Sequence, residues 1–121
     1  MMVQPKYITL LGEPKSTNHI YKSHCRFGHP CVYMTKAGKE LKESYQMQAR
    51  SQFKEKILIG ALEIEIVLYF KTEAKHDIDN YGKILLDSLT GIVWNDDKQV
   101  VSMSVKKFVD RKNPRIEIKI L

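Results

Sequence analysis

The chain has 121 residues, of which 43% are hydrophobic and 28% charged, a composition typical of one small globular domain. Its formal net charge of +6 favours a polyanionic partner such as nucleic acid. No apolar run approaches the roughly 18 residues of a membrane span, and the N-terminus lacks the pattern of a secretory signal. We therefore expect a single cytoplasmic domain over residues 1–121 that has no membrane partner.

The N-terminal half predicts a strand, a loop and a long helix. Residues 5–11 have the composition of a first strand, residues 12–28 are rich in loop-forming Gly, Pro, Ser and Asn, and residues 31–34 indicate another short strand. From Thr35, a favourable N-cap, apolar residues recur every four positions and predict an amphipathic helix. This stripe, which we interpret as core packing, consists of Ala37, Leu41, Tyr45, Ala49, Phe53 and Ile57.

The C-terminal half contains three segments with the pattern of strands. Residues 62–70 alternate cleanly between apolar side chains and mostly charged ones. Residues 100–109 place apolar side chains on one face, and residues 116–120 alternate isoleucine with charged residues.

Residues 79–90 predict a second helix, with Asp77 or Asp79 as its N-cap and Gly91 as its C-terminal stop. With the strands on either side, this order of elements predicts the α+β class. We expect a small mixed β-sheet of about four to five strands packed with two helices in a single domain.

A cluster of carboxylates and one lysine follows the strand at 62–70. Asp77 and Asp79 are two residues apart, so an extended backbone points both to one side, and Lys83 lies one helical turn further on. Asp96 and Asp97 lie in a predicted turn. Like charges repel unless a cation lies among them, and Mg²⁺ held by carboxylates supports phosphodiester hydrolysis. Mn²⁺ is a possible substitute.

The same residues have a purely structural interpretation. Asp77 is a favourable helix cap, and Asp79, Lys83 and Asp87 have the i, i+4, i+8 spacing of an exposed salt-bridge ladder. Residues 95–97 consist of turn-forming types alone. Spacing leaves both interpretations open.

The segment from Asp77 to Val100 runs Asp-Ile-Asp-Asn-Tyr-Gly-Lys, then Leu-Asp-Ser-Leu, then Asn-Asp-Asp-Lys-Gln-Val. It resembles the signature region of the RusA-type Holliday-junction resolvases, and residues 14–18 with Tyr21 are similar to a second, weaker family motif. The resemblance implies a homodimeric, Mg²⁺-dependent endonuclease of bacteria or their prophages that nicks opposite strands of branched DNA, the four-way junction, symmetrically.

The resemblance also implies roles for individual residues. The family's metal-binding aspartates correspond to Asp77, Asp79 and Asp97, with Asp96 as an alternative or addition, and its essential lysine corresponds to Lys83. Leu86 stands where some members carry a phenylalanine able to wedge into the junction, so we expect junction opening to differ here.

Basic residues near both ends are expected to hold the junction arms through phosphates. The alternative for the C-terminal ones is a solvated edge strand protected by lysines. The predicted DNA-binding residues are Lys15, Asn18, Tyr21, Arg26, Lys106, Lys107, Arg111 and Lys112.

A group of histidines and cysteines is a weaker candidate for a metal site or a disulfide. His24, Cys25, His29 and Cys31 lie close together, but their spacing matches no standard zinc site, and an intracellular setting disfavours a disulfide.

His76 could act as a general base, but it is interpreted as a residue that lies behind the metal site or faces solvent, and Trp94 is interpreted as core. No Gly-rich phosphate loop is present, so no nucleotide cofactor is expected. The rival functions are a non-catalytic DNA-binding module of the same fold and a nuclease that prefers forks or flaps.

Overall fold

The computed structural model of the protein describes residues 4–26, 28–73 and 75–121, without the side chains of His19, His24, Cys25, Arg26 and Pro30. A mixed four-stranded sheet in the order β1-β6-β4-β5 and a separate two-stranded hairpin of β2 and β3 confirm the predicted α+β class. The elements are β1 (Lys6–Leu11), α1 (Thr17–Ile20), β2 (Tyr21–Arg26), β3 (His29–Met34), α2 (Lys36–Gln52), β4 (Leu62–Phe70), α3 (Gly82–Leu89), β5 (Val100–Val109) and β6 (Arg115–Ile120).

Strand β4, one of the two inner strands, runs antiparallel to β6 and parallel to β5. Its alternating sequence has the predicted consequence, because every second side chain from Leu62 to Phe70 is buried on the face covered by the helices. Ile118 of β6 lies beside Ile66 on that same face, and Trp94 is fully buried, as expected. The core therefore lies on one side of the sheet.

Helix α2 begins as predicted, since the Thr35 side chain accepts a hydrogen bond of 3.0 Å from the N–H of Gly38. A Cβ atom at Gly38 would lie 2.7 Å from the carbonyl oxygen of Ile20, so only glycine permits this close approach of α1 to α2. The helix ends at Gln52, so Phe53 and Ile57 of the predicted stripe lie beyond it, and Ala37, which was expected in the core, is exposed. Within the described residues, no helix is long and apolar enough to cross a membrane.

The prediction of a loop over residues 12–28 was wrong. Residues 17–20 form the single turn of α1, and residues 21–26 pair antiparallel with β3, Tyr21 lying opposite Met34. The polar composition of the segment gave no sign of these elements. The backbone groups of β2 are paired with β3, and Ile20 at the end of α1 is buried in the core.

The predicted start of the second helix was also wrong. Residues 78–80 form a separate 3₁₀ turn capped by Asp77, and α3 begins only at Gly82. The Asp77 carboxylate accepts the N–H of Asp79, two residues on, which closes a short turn in place of a full helical one. A second 3₁₀ turn, Asp97–Gln99, precedes β5.

Candidate active site

The 3₁₀ turn at residues 78–80 carries the candidate aspartates. Asp77 accepts the Asp79 N–H at 3.1 Å through one carboxylate oxygen, and both aspartates are exposed. The hydroxyl of Thr17 donates a hydrogen bond of 2.6 Å to the carbonyl oxygen of Asn80. The turn is thereby fastened to α1, which is 63 positions away in sequence.

His76 holds the chain that enters this turn. Its ring stacks on Phe70 with centroids 3.7 Å apart, and its Nδ1 lies 3.2 Å from the Tyr81 hydroxyl. Its Nε2 is buried and lacks a hydrogen-bond partner among the described residues. The Lys107 ammonium donates to the His76 carbonyl oxygen at 2.7 Å, so β5 also fixes this segment. These packing contacts give His76 a supporting position.

Lys83 lies in the first turn of α3 with its side chain exposed. Its Nζ is 4.2 Å from the ring centroid of Tyr21, within the range of a cation–π contact. The Tyr21 hydroxyl in turn donates a hydrogen bond to the Asp87 carboxylate. Burial, followed by the hydrogen bond to Asp87 and the charge of that carboxylate, raises the pKa of Tyr21, so its hydroxyl stays protonated.

This arrangement differs from the salt-bridge ladder that the spacing allowed. The ion pairs of the described residues leave Lys83 unpaired with either Asp79 or Asp87. The lysine is instead positioned from the side by an aromatic ring of β2.

Asp96 and Asp97 occupy the second 3₁₀ turn. Asp96 accepts the N–H of Lys98 at 2.9 Å, and the Gln99 side chain accepts the N–H of Asp96 at 3.1 Å, which completes a capping box. The Lys98 N–H, with a smaller contribution from a hydrogen bond to Asp97, lowers the pKa of Asp96. The structural interpretation therefore accounts for Asp96.

The candidate carboxylates line two different depressions. Asp79 borders one of about 290 Å³ beside β5, whereas Asp96 and Asp97 border one of about 440 Å³ together with Asp87. Among the side chains that the structure describes, which leave out those of His19, His24 and Cys25, no three of His, Cys, Asp or Glu come together closely enough to hold a metal ion. The oxygen donors suit Mg²⁺ chemically, but one chain does not assemble the predicted set.

A family model described as endodeoxyribonuclease RusA matches residues 12–121. The chain belongs to the RusA endodeoxyribonuclease family. It is also similar to the uncharacterized protein YqaN of Bacillus subtilis (strain 168), with 44% identity over 46 residues, which cover 38% of this chain and 32% of YqaN. The chain thus spans about a third of that relative's length. The family resemblance expected from the sequence is confirmed.

The predicted DNA-binding residues of this RusA-family chain fall into three groups. Exposed residues with no ion pair in the described structure are Lys15, Asn18, Lys106, Arg111 and Lys112. Lys107 and Tyr21 instead make contacts within the chain. The side chain of Arg26 lies outside the described residues.

The local zinc candidate stays largely untested, because the side chains of His24 and Cys25 also lie outside the described part. Cys31 is a free, exposed thiol.

Sequence reasoning missed the residues that support the site. Thr17 contacts the candidate segment from a position 63 residues away, where no spacing rule applies, and Tyr81 within the segment was not singled out. Asp87, expected in a salt-bridge ladder, instead accepts a hydrogen bond from the Tyr21 hydroxyl. Leu86, which the sequence resemblance aligned with a wedging residue, is partly buried and packs against the core. It is therefore poorly placed to insert between bases.

Proposed function

We propose that this RusA-family protein is a Mg²⁺-dependent endodeoxyribonuclease that resolves four-way DNA junctions by paired, symmetric nicks and works as a homodimer. The observation that carries the proposal is the grouping of two exposed aspartates and an exposed lysine within the seven positions from Asp77 to Lys83. Contacts from α1, β2 and β5 fix this segment. A rigid, open arrangement of opposite charges suits work on a phosphodiester.

Mg²⁺ would supply an activated water and neutralise charge that builds on the phosphoryl oxygens. We propose Asp77, Asp79 and Asp97 as its ligands. Asp96 would be an alternative or an additional ligand, since its carboxylate caps the turn before β5 in the way that Asp77 caps the turn at residues 78–80. No three such side chains lie together among the described residues, so this ligand set is not preformed in the structure.

Lys83 would stabilise negative charge on the phosphodiester, and Tyr21 would hold the ammonium group in place. Lys15, Lys106, Arg111 and Lys112, exposed and unpaired within the described chain, would contact phosphates of the junction arms. Binding through phosphates weakens steeply as salt rises.

The test is cleavage of a mobile synthetic four-way junction, a fork, a flap and a linear duplex, with Mg²⁺ or with EDTA. The variant is Asp79→Asn, because the Asp79 carboxylate makes no hydrogen bond within the described residues and its loss should leave the fold intact. The matched control is Glu40→Gln, which neutralises an exposed carboxylate on α2. We expect symmetric nicks by the wild type and the control, and none in EDTA or by Asp79→Asn.

Efficient cleavage of the junction by Asp79→Asn, or by the wild type in EDTA, would contradict the proposed mechanism. Preferential cutting of forks or flaps would retain the nuclease and change its substrate.

A non-catalytic DNA-binding module is the second candidate, favoured by the absence of a three-ligand cluster among the described residues. It predicts that Asp79→Asn binds junctions as well as the wild type or better, because one negative charge is removed near the DNA. It also predicts no cleavage in any divalent metal.

A further inference from the structure

The four-stranded sheet has one face covered by the helices and one face turned to solvent. At one end of the solvent face, a cross-strand row takes one residue from each strand. In strand order its members are Leu11, Arg115, Tyr69 and Phe108. Leu11 is 61% exposed and Phe108 is 54% exposed. Because neighbouring strands lie about 4.8 Å apart, the row is roughly 15 Å wide.

Three planar groups lie side by side in the cross-strand row. The Tyr69 ring stacks with that of Phe108, with centroids 6.0 Å apart and an interplanar angle of 29°. From the neighbouring strand, the guanidinium carbon of Arg115 lies 3.8 Å from the Tyr69 ring centroid. Asp110 and Glu117 form ion pairs with Arg115, at 2.8 and 2.9 Å, and hold it in place. The row therefore offers flat, preformed surfaces of the kind on which nucleobases stack.

Charge on the solvent face changes along the strands. At the end far from the row, Glu63 and Glu65 of β4 are exposed. At the end with the row, Lys106 lies two residues before Phe108 and so points to the same face, and two further cations follow β5. These exposed residues, which make no ion pair in the described part of the chain, are Lys106, Arg111 and Lys112. A polyanion is therefore attracted to the end that carries the aromatic rings and repelled from the other end.

We propose that the cross-strand row binds unpaired bases of single-stranded DNA, which stack on Phe108 and Tyr69 while Lys106 contacts the phosphates. The inference rests on the proposed function and gives it a DNA contact outside the candidate active site. In a duplex each base is stacked between its neighbours, so a surface of aromatic rings is open only to unpaired nucleotides. Four-stranded sheets with exposed aromatic side chains bind single strands in this way, two or three bases at a time.

A depression of about 200 Å³ connects the row to the candidate active site. It is lined by Phe108 and by His76, the residue before Asp77. The charged side chains along it, which are opposite in sign, are Glu73 and Lys107. An unpaired strand that leaves a branch point held at the aspartates would therefore reach Phe108 over a short distance. Since Leu86 packs against the core, the row gives opened bases a place to stack that this leucine does not provide.

The test compares two labelled single strands of about 12 nucleotides, an oligothymidylate and a strand of the same length made of abasic sites. Their affinity for the full chain is measured by fluorescence anisotropy in EDTA, which removes divalent metal. The wild type should bind the oligothymidylate at least about fivefold more tightly than the abasic strand, because only the former has bases to stack. Phe108→Leu should bind both strands with the affinity that the wild type has for the abasic strand.

Two further variants separate stacking from folding. Phe108→Trp should keep the preference for bases, because a larger ring replaces the phenyl ring. The matched control is Tyr7→Leu, which removes an aromatic side chain that is 66% exposed on the same face of the sheet but outside the row. It should bind both strands like the wild type. Because the abasic strand is bound through its phosphates alone, its affinity for Phe108→Leu also reports whether that variant is folded.

Equal binding of both strands by the wild type, or a preference for bases that survives in Phe108→Leu, would overturn the proposal and leave the row to a protein partner. Neither result bears on the proposed nuclease activity, which is judged by cleavage of the four-way junction with Mg²⁺. A protein that leaves junctions uncut but prefers the oligothymidylate through Phe108 keeps the single-strand site and loses the nuclease.

Discussion

The contact between Tyr21 and Lys83 predicts that loss of the Tyr21 ring lowers the rate of cleavage without lowering the affinity for the junction. Tyr21→Leu removes the ring that lies 4.2 Å from the lysine Nζ and keeps an apolar side chain at the start of β2. Tyr21→Phe keeps the ring and removes only the hydroxyl that donates to Asp87. The two variants therefore distinguish the ring from the hydroxyl.

The expected magnitude follows from the exposure of Lys83. A cation–π contact at an exposed site contributes about 0.5–1 kcal/mol, so Tyr21→Leu should lower the cleavage rate at saturating junction by about two- to fivefold. Tyr21→Phe should retain most of the rate. Both should lower the free energy of unfolding by about 1–2 kcal/mol, because the partly buried Asp87 carboxylate loses a donor.

The assay is single-turnover cleavage of a four-way junction, with affinity measured separately by titration without divalent metal. If Tyr21 positions Lys83, Tyr21→Leu lowers the rate and leaves the affinity within about twofold of the wild type. If Tyr21 contacts DNA, as the sequence comparison implied, the affinity falls and the saturated rate does not. An unchanged rate in Tyr21→Leu would refute the positioning role.

Three further outcomes are expected. Gly38→Ala should destabilise the protein by about 1–3 kcal/mol in urea unfolding, because the added Cβ meets a backbone carbonyl of α1. The control is Lys39→Ala, at an exposed position of the same helix. An unchanged unfolding midpoint for Gly38→Ala would contradict the contact. Burial raises the pKa of Tyr45 to about 12, so stability is retained below pH 10 and lost as pH rises toward 12. Between pH 8 and pH 11, the free energy of unfolding of Tyr45→Phe should therefore fall by about 1 kcal/mol less than that of the wild type. An equal fall in both proteins would refute this. Replacing Lys106 and Arg111 by glutamine should reduce the salt slope of junction binding by about two, and an unaltered slope would remove both from the interface.

The elements that could be predicted are those whose burial alternates in step with the backbone. β4 and β6 each bury every second residue against the helices, so their sequences carry the period of a strand. β2 and β3 form a hairpin outside the main sheet, and the exposed Val32 and Tyr33 show that it lacks a buried face of that kind. No periodic signal was available for that segment.

The residues of the candidate site also differ in whether the sequence alone identifies them. Asp77, Asp79 and Lys83 lie within a short stretch, so a sequence motif identifies them without knowledge of the fold. The groups that hold them come from far away in the chain: Thr17 is 63 positions from Asn80, and Tyr21 is 66 positions from Asp87. Such contacts depend on how α1 and β2 pack against α3, which no local pattern encodes.

The structural and the metal-binding interpretations of Asp77 are compatible, because a carboxylate has about four lone-pair positions and the cap uses one. Asp77→Asn separates them. An asparagine oxygen caps as well as an aspartate oxygen, so the free energy of unfolding should change by less than about 0.5 kcal/mol. Cleavage should fall at least about 100-fold, because the charge is lost, while Glu40→Gln should cut like the wild type. If Asp77→Asn is equally stable and cuts at the normal rate, the carboxylate serves only the turn. If it unfolds readily, capping by the charged form is the larger contribution, and loss of cleavage then carries no information about a metal.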